Sequence, residues 1–142
     1  MRFAASFYPL AFLLGRLTDE AVYQVTPSGV EPHDYEASPQ DILRLREMDI
    51  FVYNGGGLDV WAQRLQQNFT DARVTSLNMI ETLSNSGVSL RKGSDIDPHF
   101  WLDPVFMKVA VNQLVVALAT IESTETSRLV ANADALKDEL SA

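Results

Sequence analysis

The 142-residue sequence contains no cysteine. That absence removes disulfide bonds, thiolate zinc sites and cysteine nucleophiles together, and it leaves the redox compartment open. Histidine is scarce: His33 and His99 are the only two. Positive charge is also short, with 11 basic against 19 acidic residues and a formal net charge of −8. Phosphate binding needs clustered Lys and Arg to displace counterions, and no such cluster occurs, so nucleic acid is excluded as a partner and cations suit the chain better. An acidic surface also serves solubility alone. No run reaches the roughly 20 apolar residues of a membrane span, and the chain as given reads as soluble. The start, Met1 to Gly15, superficially resembles a signal peptide, but Tyr8-Pro9 interrupts the apolar run and no small-x-small cleavage site follows. It reads as the first strand and helix, with no signal segment in this chain.

What is present suffices for one core, since 46% of the residues are apolar. Arg2 to Phe7 predicts a short strand, followed by a helix with Pro9 at its start and Leu10, Leu13, Leu14 and Leu17 at helical spacing. Val22 to Thr26 predicts a second strand that stops at Pro27-Ser28-Gly29. Ser38, Pro39 and Asp41 mark a helix N-terminus: a capping hydroxyl, a fixed φ and a carboxylate near the helix dipole. Asp49 to Tyr53 reads as a buried strand, broken by Asn54-Gly55-Gly56-Gly57, with Leu58, Trp61, Ala62, Leu65 and Phe69 tracing a helical face behind it. Arg73 to Leu77 supplies a fourth strand, and Ser84 to Asp97 reads as a solvated loop. Asp103 caps, and Pro104 opens, a helix to about Ile121, and a last amphipathic segment runs from Glu125 to Leu140. Four strands alternating with helices predict an α/β fold: a three-layer lobe with a four-stranded parallel β-sheet flanked by helices. Ligands of such open sheets gather beyond the carboxyl ends of the strands.

The chemistry rests on the two histidines. Neutral imidazole ligates zinc, manganese and other divalent transition metals, and Asp34, Glu36, Asp97 and Asp103 are placed to ligate beside it or to orient it. The spacing alone establishes no site, being unlike a helical metalloprotease pair or a zinc finger. The local context is more specific: each histidine follows a proline, whose fixed φ presents the next residue at a loop corner. Gly55-Gly56-Gly57 lacks the G-x-G-x-x-G spacing of a phosphate cradle and reads as a tight turn. Trp61 and Trp101 read as core residues, not as stacking platforms.

Four segments occur in order: Ser6-Phe7-Tyr8-Pro9, Pro27-Ser28-Gly29-Val30-Glu31-Pro32-His33-Asp34-Tyr35-Glu36, Tyr53-Asn54-Gly55-Gly56-Gly57-Leu58-Asp59-Val60-Trp61 and Asp97-Pro98-His99-Phe100-Trp101-Leu102-Asp103-Pro104. In these the sequence resembles the metal-specific periplasmic or lipoprotein solute-binding proteins of ABC transporters, the cluster A-I family that carries zinc or manganese. The resemblance implies that His33 and His99 are the two N-lobe metal ligands and that residues 1–121 form the N-terminal lobe of a two-lobe protein. Residues 122–142 would then begin the linking helix, with the C-terminal lobe and its remaining ligands absent. The implied function is capture of zinc or manganese outside the cytoplasm, in the periplasm or anchored to the membrane, and delivery to an ABC permease. It is a binding task and not catalysis. Zinc-type members often carry a His-rich loop before the second His motif, whereas Ser84 to Asp97 has no histidine. Two alternatives stay open: a metallohydrolase with Asp34 or Asp103 as base, and a metal-free lobe used as an interaction domain. The apolar stripe of the last helix can bury against the lobe, fray, or self-associate with another copy.

Overall fold

The structure is a computed structural model that describes residues 1–69 and 73–142. Four parallel strands form one sheet: β1 (Phe3–Ala5), β2 (Val22–Gln24), β3 (Ile50–Tyr53) and β4 (Thr75–Asn78), in the spatial order β2-β1-β3-β4. Phe3 pairs with both Val22 and Ile50, and Ile50 with Thr75, so the strands stay in register across the sheet. The helices α1 (Tyr8–Thr18), α2 (Pro39–Arg46), α3 (Val60–Gln66), α4 (Met79–Asn85), α5 (Pro104–Ile121) and α6 (Thr126–Leu140) cover both faces.

Strand periodicity assigns the layers, because alternate side chains leave a strand on opposite sides. Phe3, Ala5, Ile50 and Val52 join the core shared by α1, α4, α5 and α6. Ala4, Phe51 and Tyr53 face the other way, onto Leu45 of α2 and Trp61, Ala62 and Leu65 of α3. The two central strands, β1 and β3, are apolar and buried on both faces, as expected of a parallel sheet sandwiched between helices.

The helix starts follow local chemistry. The Ser38 hydroxyl accepts from the Asp41 N–H at 3.1 Å while the Asp41 carboxylate accepts from the Ser38 N–H at 2.9 Å, a complete capping box. Asp103 caps α5 by accepting from the Val105 N–H at 2.8 Å. The 18-residue α5, with a mean hydropathy of 1.7, is long and apolar enough to cross a membrane by length and composition, contrary to the expectation that no such run exists. Its Met107, Ala110, Val111, Leu114 and Leu118 are buried in the core with α1 and α6.

The segment expected as a loop from Ser84 to Asp97 is partly ordered. Ser84 and Asn85 end α4, and β5 (Arg91–Lys92) pairs antiparallel with β6 (Asp95–Ile96) in a short hairpin. The last helix lies on the lobe: Leu129, Ala133 and Leu136 are buried, and Arg16 of α1 makes two hydrogen bonds to the Glu139 carboxylate.

Candidate metal centre

Beyond the carboxyl ends of the strands the two Pro-His loops meet. Pro32–Asp34 forms a 3-10 turn in the connection after β2, and His99 immediately precedes a second 3-10 turn, Phe100–Leu102. The ring centroids of His33 and His99 lie 6.5 Å apart with their planes tilted by 47°. Their side chains are 46% and 44% exposed, open to an incoming ion.

Each imidazole is held by a carboxylate two residues earlier. His33 Nδ1 lies 2.7 Å from Glu31 Oε1, and His99 Nδ1 lies 2.8 Å from Asp97 Oδ1. A carboxylate only accepts, so Nδ1–H donates in both rings, which in the neutral imidazole leaves the lone pair on Nε2. This is the arrangement that fixes tautomer and direction in metal-ligating histidines. The contacts act back on the acids: the hydrogen bond from the His33 ring holds Glu31 below its ordinary value, and the backbone N–H of His99, then its ring, does the same for Asp97.

The four carboxylates singled out from sequence take different places. Asp97 orients His99, but the partner of His33 is Glu31, not Asp34 or Glu36. Asp34 closes the 3-10 turn through its N–H to the Glu31 carbonyl, Glu36 pairs with Arg64 at 2.7 Å, and Asp103 caps α5. The missed signal was symmetry: a carboxylate, a proline and a histidine occur in succession twice, as Glu31-Pro32-His33 and Asp97-Pro98-His99.

Different contacts fasten the two loops. Tyr35, two residues past His33, donates to Asp41 Oδ2 at 2.6 Å, and Tyr23 of β2 donates to Asp41 Oδ1. The Tyr35 ring stands edge-on to Trp61 at 5.8 Å, and the Arg44 guanidinium lies 3.9 Å over the Tyr23 ring. Burial, then the bond to Asp41, pushes each phenol up to about 12. Burial pushes Asp41 upward, but the two phenols and Ser38 outweigh it and leave the carboxyl below its ordinary value.

The His99 loop is anchored from beneath. Trp101 packs against Phe7, Phe100 and His99, with centroids at 4.9, 5.9 and 5.3 Å. Trp61 is the core residue expected from its helical face, at 4% exposure, while Trp101 is only half-buried. The Asn54 side-chain amide donates to the Pro98 carbonyl at 2.9 Å, and the Asp97 N–H donates to the Leu90 carbonyl at 2.7 Å. Asp59, buried inside the turn, accepts from the Ser6 hydroxyl at 2.6 Å and from the N–H groups of Asn54 and Gly55 at 2.7 and 2.8 Å. Gly55 is obligatory there: at φ +77° a Cβ would fall 2.1 Å from Asn78 Oδ1.

A tetrahedral zinc at about 2.0–2.1 Å from each Nε2 would place the two ring centroids roughly 5 Å apart. The observed separation of 6.5 Å is little more than an ångström wider, and two imidazoles leave further coordination positions open. Among the described residues no group of three or more His, Cys, Asp or Glu side chains converges.

Comparison with known proteins points the same way. The family model described as zinc-uptake complex component A, periplasmic, matches residues 4–142. The manganese-binding lipoprotein MntA of Halalkalibacterium halodurans is 30% identical over 142 residues, covering 99% of this chain and 46% of that protein. The high-affinity zinc uptake system protein ZnuA of Bacillus subtilis is 27% identical over 127 residues, covering 77% of this chain and 38% of that protein. The chain thus spans less than half the length of these curated relatives. The crystal structure of the Zn(II)-bound ZnuA-like domain of Streptococcus pneumoniae AdcA superposes with a TM-score of 0.87 at 24% identity, over 99% of this chain and 52% of that one, a likeness of fold.

Proposed function

The chain belongs to the periplasmic zinc-uptake component A family, and from that membership we propose that it captures a divalent transition metal, zinc or manganese, through Nε2 of His33 and His99. The carrying observation is the paired geometry: two imidazoles 6.5 Å apart, each with Nδ1 engaged by a carboxylate. With Nδ1 donating, each neutral ring keeps its Nε2 lone pair for a cation, beyond the strand ends where the two loops meet.

In this reading the ion is cargo, taken up outside the cytoplasm, in the periplasm or at a membrane anchor, and passed to an ABC permease. Residues 1–121 are the metal-binding lobe and residues 122–142 begin the link to a second lobe that supplies the remaining ligands. The relatives' roughly doubled length supports that division. With two protein ligands, affinity falls well below that of a full four-ligand site, since each missing ligand removes a coordination bond. The protein does not catalyse a reaction on this reading. A hydrolytic zinc site holds three protein ligands and an activated water.

Calorimetric titration of the chain with Zn²⁺ and Mn²⁺, beside a His33→Ala, His99→Ala variant, tests the proposal. Saturable uptake by the parent that disappears in the variant is expected. Equal binding by the two proteins would refute the assignment of ligands.

A further inference from the structure

A line of buried polar contacts leads from the core to His99 alone. Asp59 is 1% exposed, and its carboxylate is fully engaged by Ser6 and by the N–H groups of Asn54 and Gly55. Asn54, 0% exposed, has its own carbonyl taken by the Ile80 N–H at 2.9 Å. Its side-chain amide donates to the Gly55 carbonyl within the turn at 3.3 Å and, more closely, to the Pro98 carbonyl at 2.9 Å, 44 positions away. Gly56, at φ +64°, also approaches Pro98: a Cβ there would sit 3.1 Å from Pro98 Cβ and 3.1 Å from Ile80 Cγ1. The proline is thus contacted both by an amide donor and by close-lying glycine backbone. Its φ is fixed by the ring, so the direction of its carbonyl determines ψ, the one backbone freedom left, and ψ places His99.

We infer that Asn54, oriented by Asp59, is the positioning residue for His99, and that His33 is placed independently by the Tyr35–Asp41 contacts. The functional weight of this rests on the metal reading above. Its structural content does not. Among the described residues Asn54 Oδ1 is a buried acceptor with no partner, so Asn54→Leu removes an unsatisfied atom together with the donor, while filling similar space. The loop therefore loses more than the core does.

The test uses the whole chain, first without metal. In Asn54→Leu the NMR signals of the His99 and Trp101 rings are expected to shift and the His99 amide to exchange faster, with the His33 and Tyr35 signals unmoved. Gly56→Ala, whose Cβ would press on Pro98 Cβ and on Ile80 Cγ1 at 3.1 Å while the Asn54 side chain is unchanged, is expected to move the His99 signals and not those of His33. Titrated with zinc chloride, each variant should bind about tenfold more weakly than the parent, with the lost zinc-induced shift on His99. Should Asn54→Leu not fold, Asn54→Ser, whose hydroxyl falls short of the Pro98 carbonyl, carries the same comparison. Unmoved His99 signals in these variants, or both histidines moving together, would overturn the inference. A parent chain that takes up no zinc would defeat the metal reading, while the metal-free spectra would still decide the role of Asn54.

Discussion

The loops that carry His33 and His99 share a local design, a carboxylate, a proline and a histidine in succession, and differ in what lies beneath. Under His99 the support is buried: Phe100 at 2% exposure, the Phe7–Trp101 contact, and the Asp59–Asn54 relay ending on Pro98. Under His33 it is a half-exposed polar clamp, with Tyr23 and Tyr35 converging on the single Asp41 carboxylate at the start of α2. A buried relay costs much to break, because every group it orphans is cut off from water. A clamp near the surface exchanges its bonds for solvent at small cost. His99 is therefore tied to global stability, and His33 to one local network.

Asp59→Ala should strain that contrast most. It leaves the Ser6 hydroxyl and two backbone N–H groups buried without an acceptor, a loss of about 3–5 kcal/mol by urea denaturation. Phe100→Ala, a cavity under the same loop, should cost about 3 kcal/mol, read from the same transition. Tyr35→Phe removes one hydrogen bond from the other loop and should cost only about 1 kcal/mol. A larger loss for Tyr35→Phe than for Phe100→Ala would erase the distinction.

Alkaline titration isolates the clamp. The folded Tyr23 and Tyr35 phenols ionise near 12, above the ordinary value near 10, so the stability they contribute is complete below pH 10 and is lost as pH rises toward 12. A Tyr23→Phe, Tyr35→Phe variant should show a flatter decline of melting temperature across that window. The smallest effect on stability belongs to the exposed carboxylates. Glu31→Ala and Asp97→Ala should leave the melting temperature unchanged while each weakens zinc binding about tenfold, measured by calorimetry.

Much of the fold was legible because its signals are local. Two-sided apolar strands, the Ser38–Asp41 capping box and Asp103-Pro104 at the head of α5 each state their geometry within four residues. The seven residues of α4 escaped detection because Met79, Ile80 and Leu83 give barely two turns of apolar spacing, too few to separate a helix from a polar connection. At the site, proline before each histidine marked the ligand candidates. Their anchors were hidden, because a buried Asp59 and an Asn54 reaching Pro98 are tertiary facts, and an aspartate in a glycine-rich turn looks in sequence like any solvated one.

The pairing of α1 with α6 has a consequence for synthesis. Asn132 donates to the Leu17 carbonyl across 115 positions, and Arg16 reaches Glu139 across 123. At about 5–20 residues per second, the segment that caps the first helix emerges roughly ten seconds after it. Throughout that interval the leucine face of α1 lacks its final cover, and the nascent chain is most prone to mistaken association just before α6 arrives.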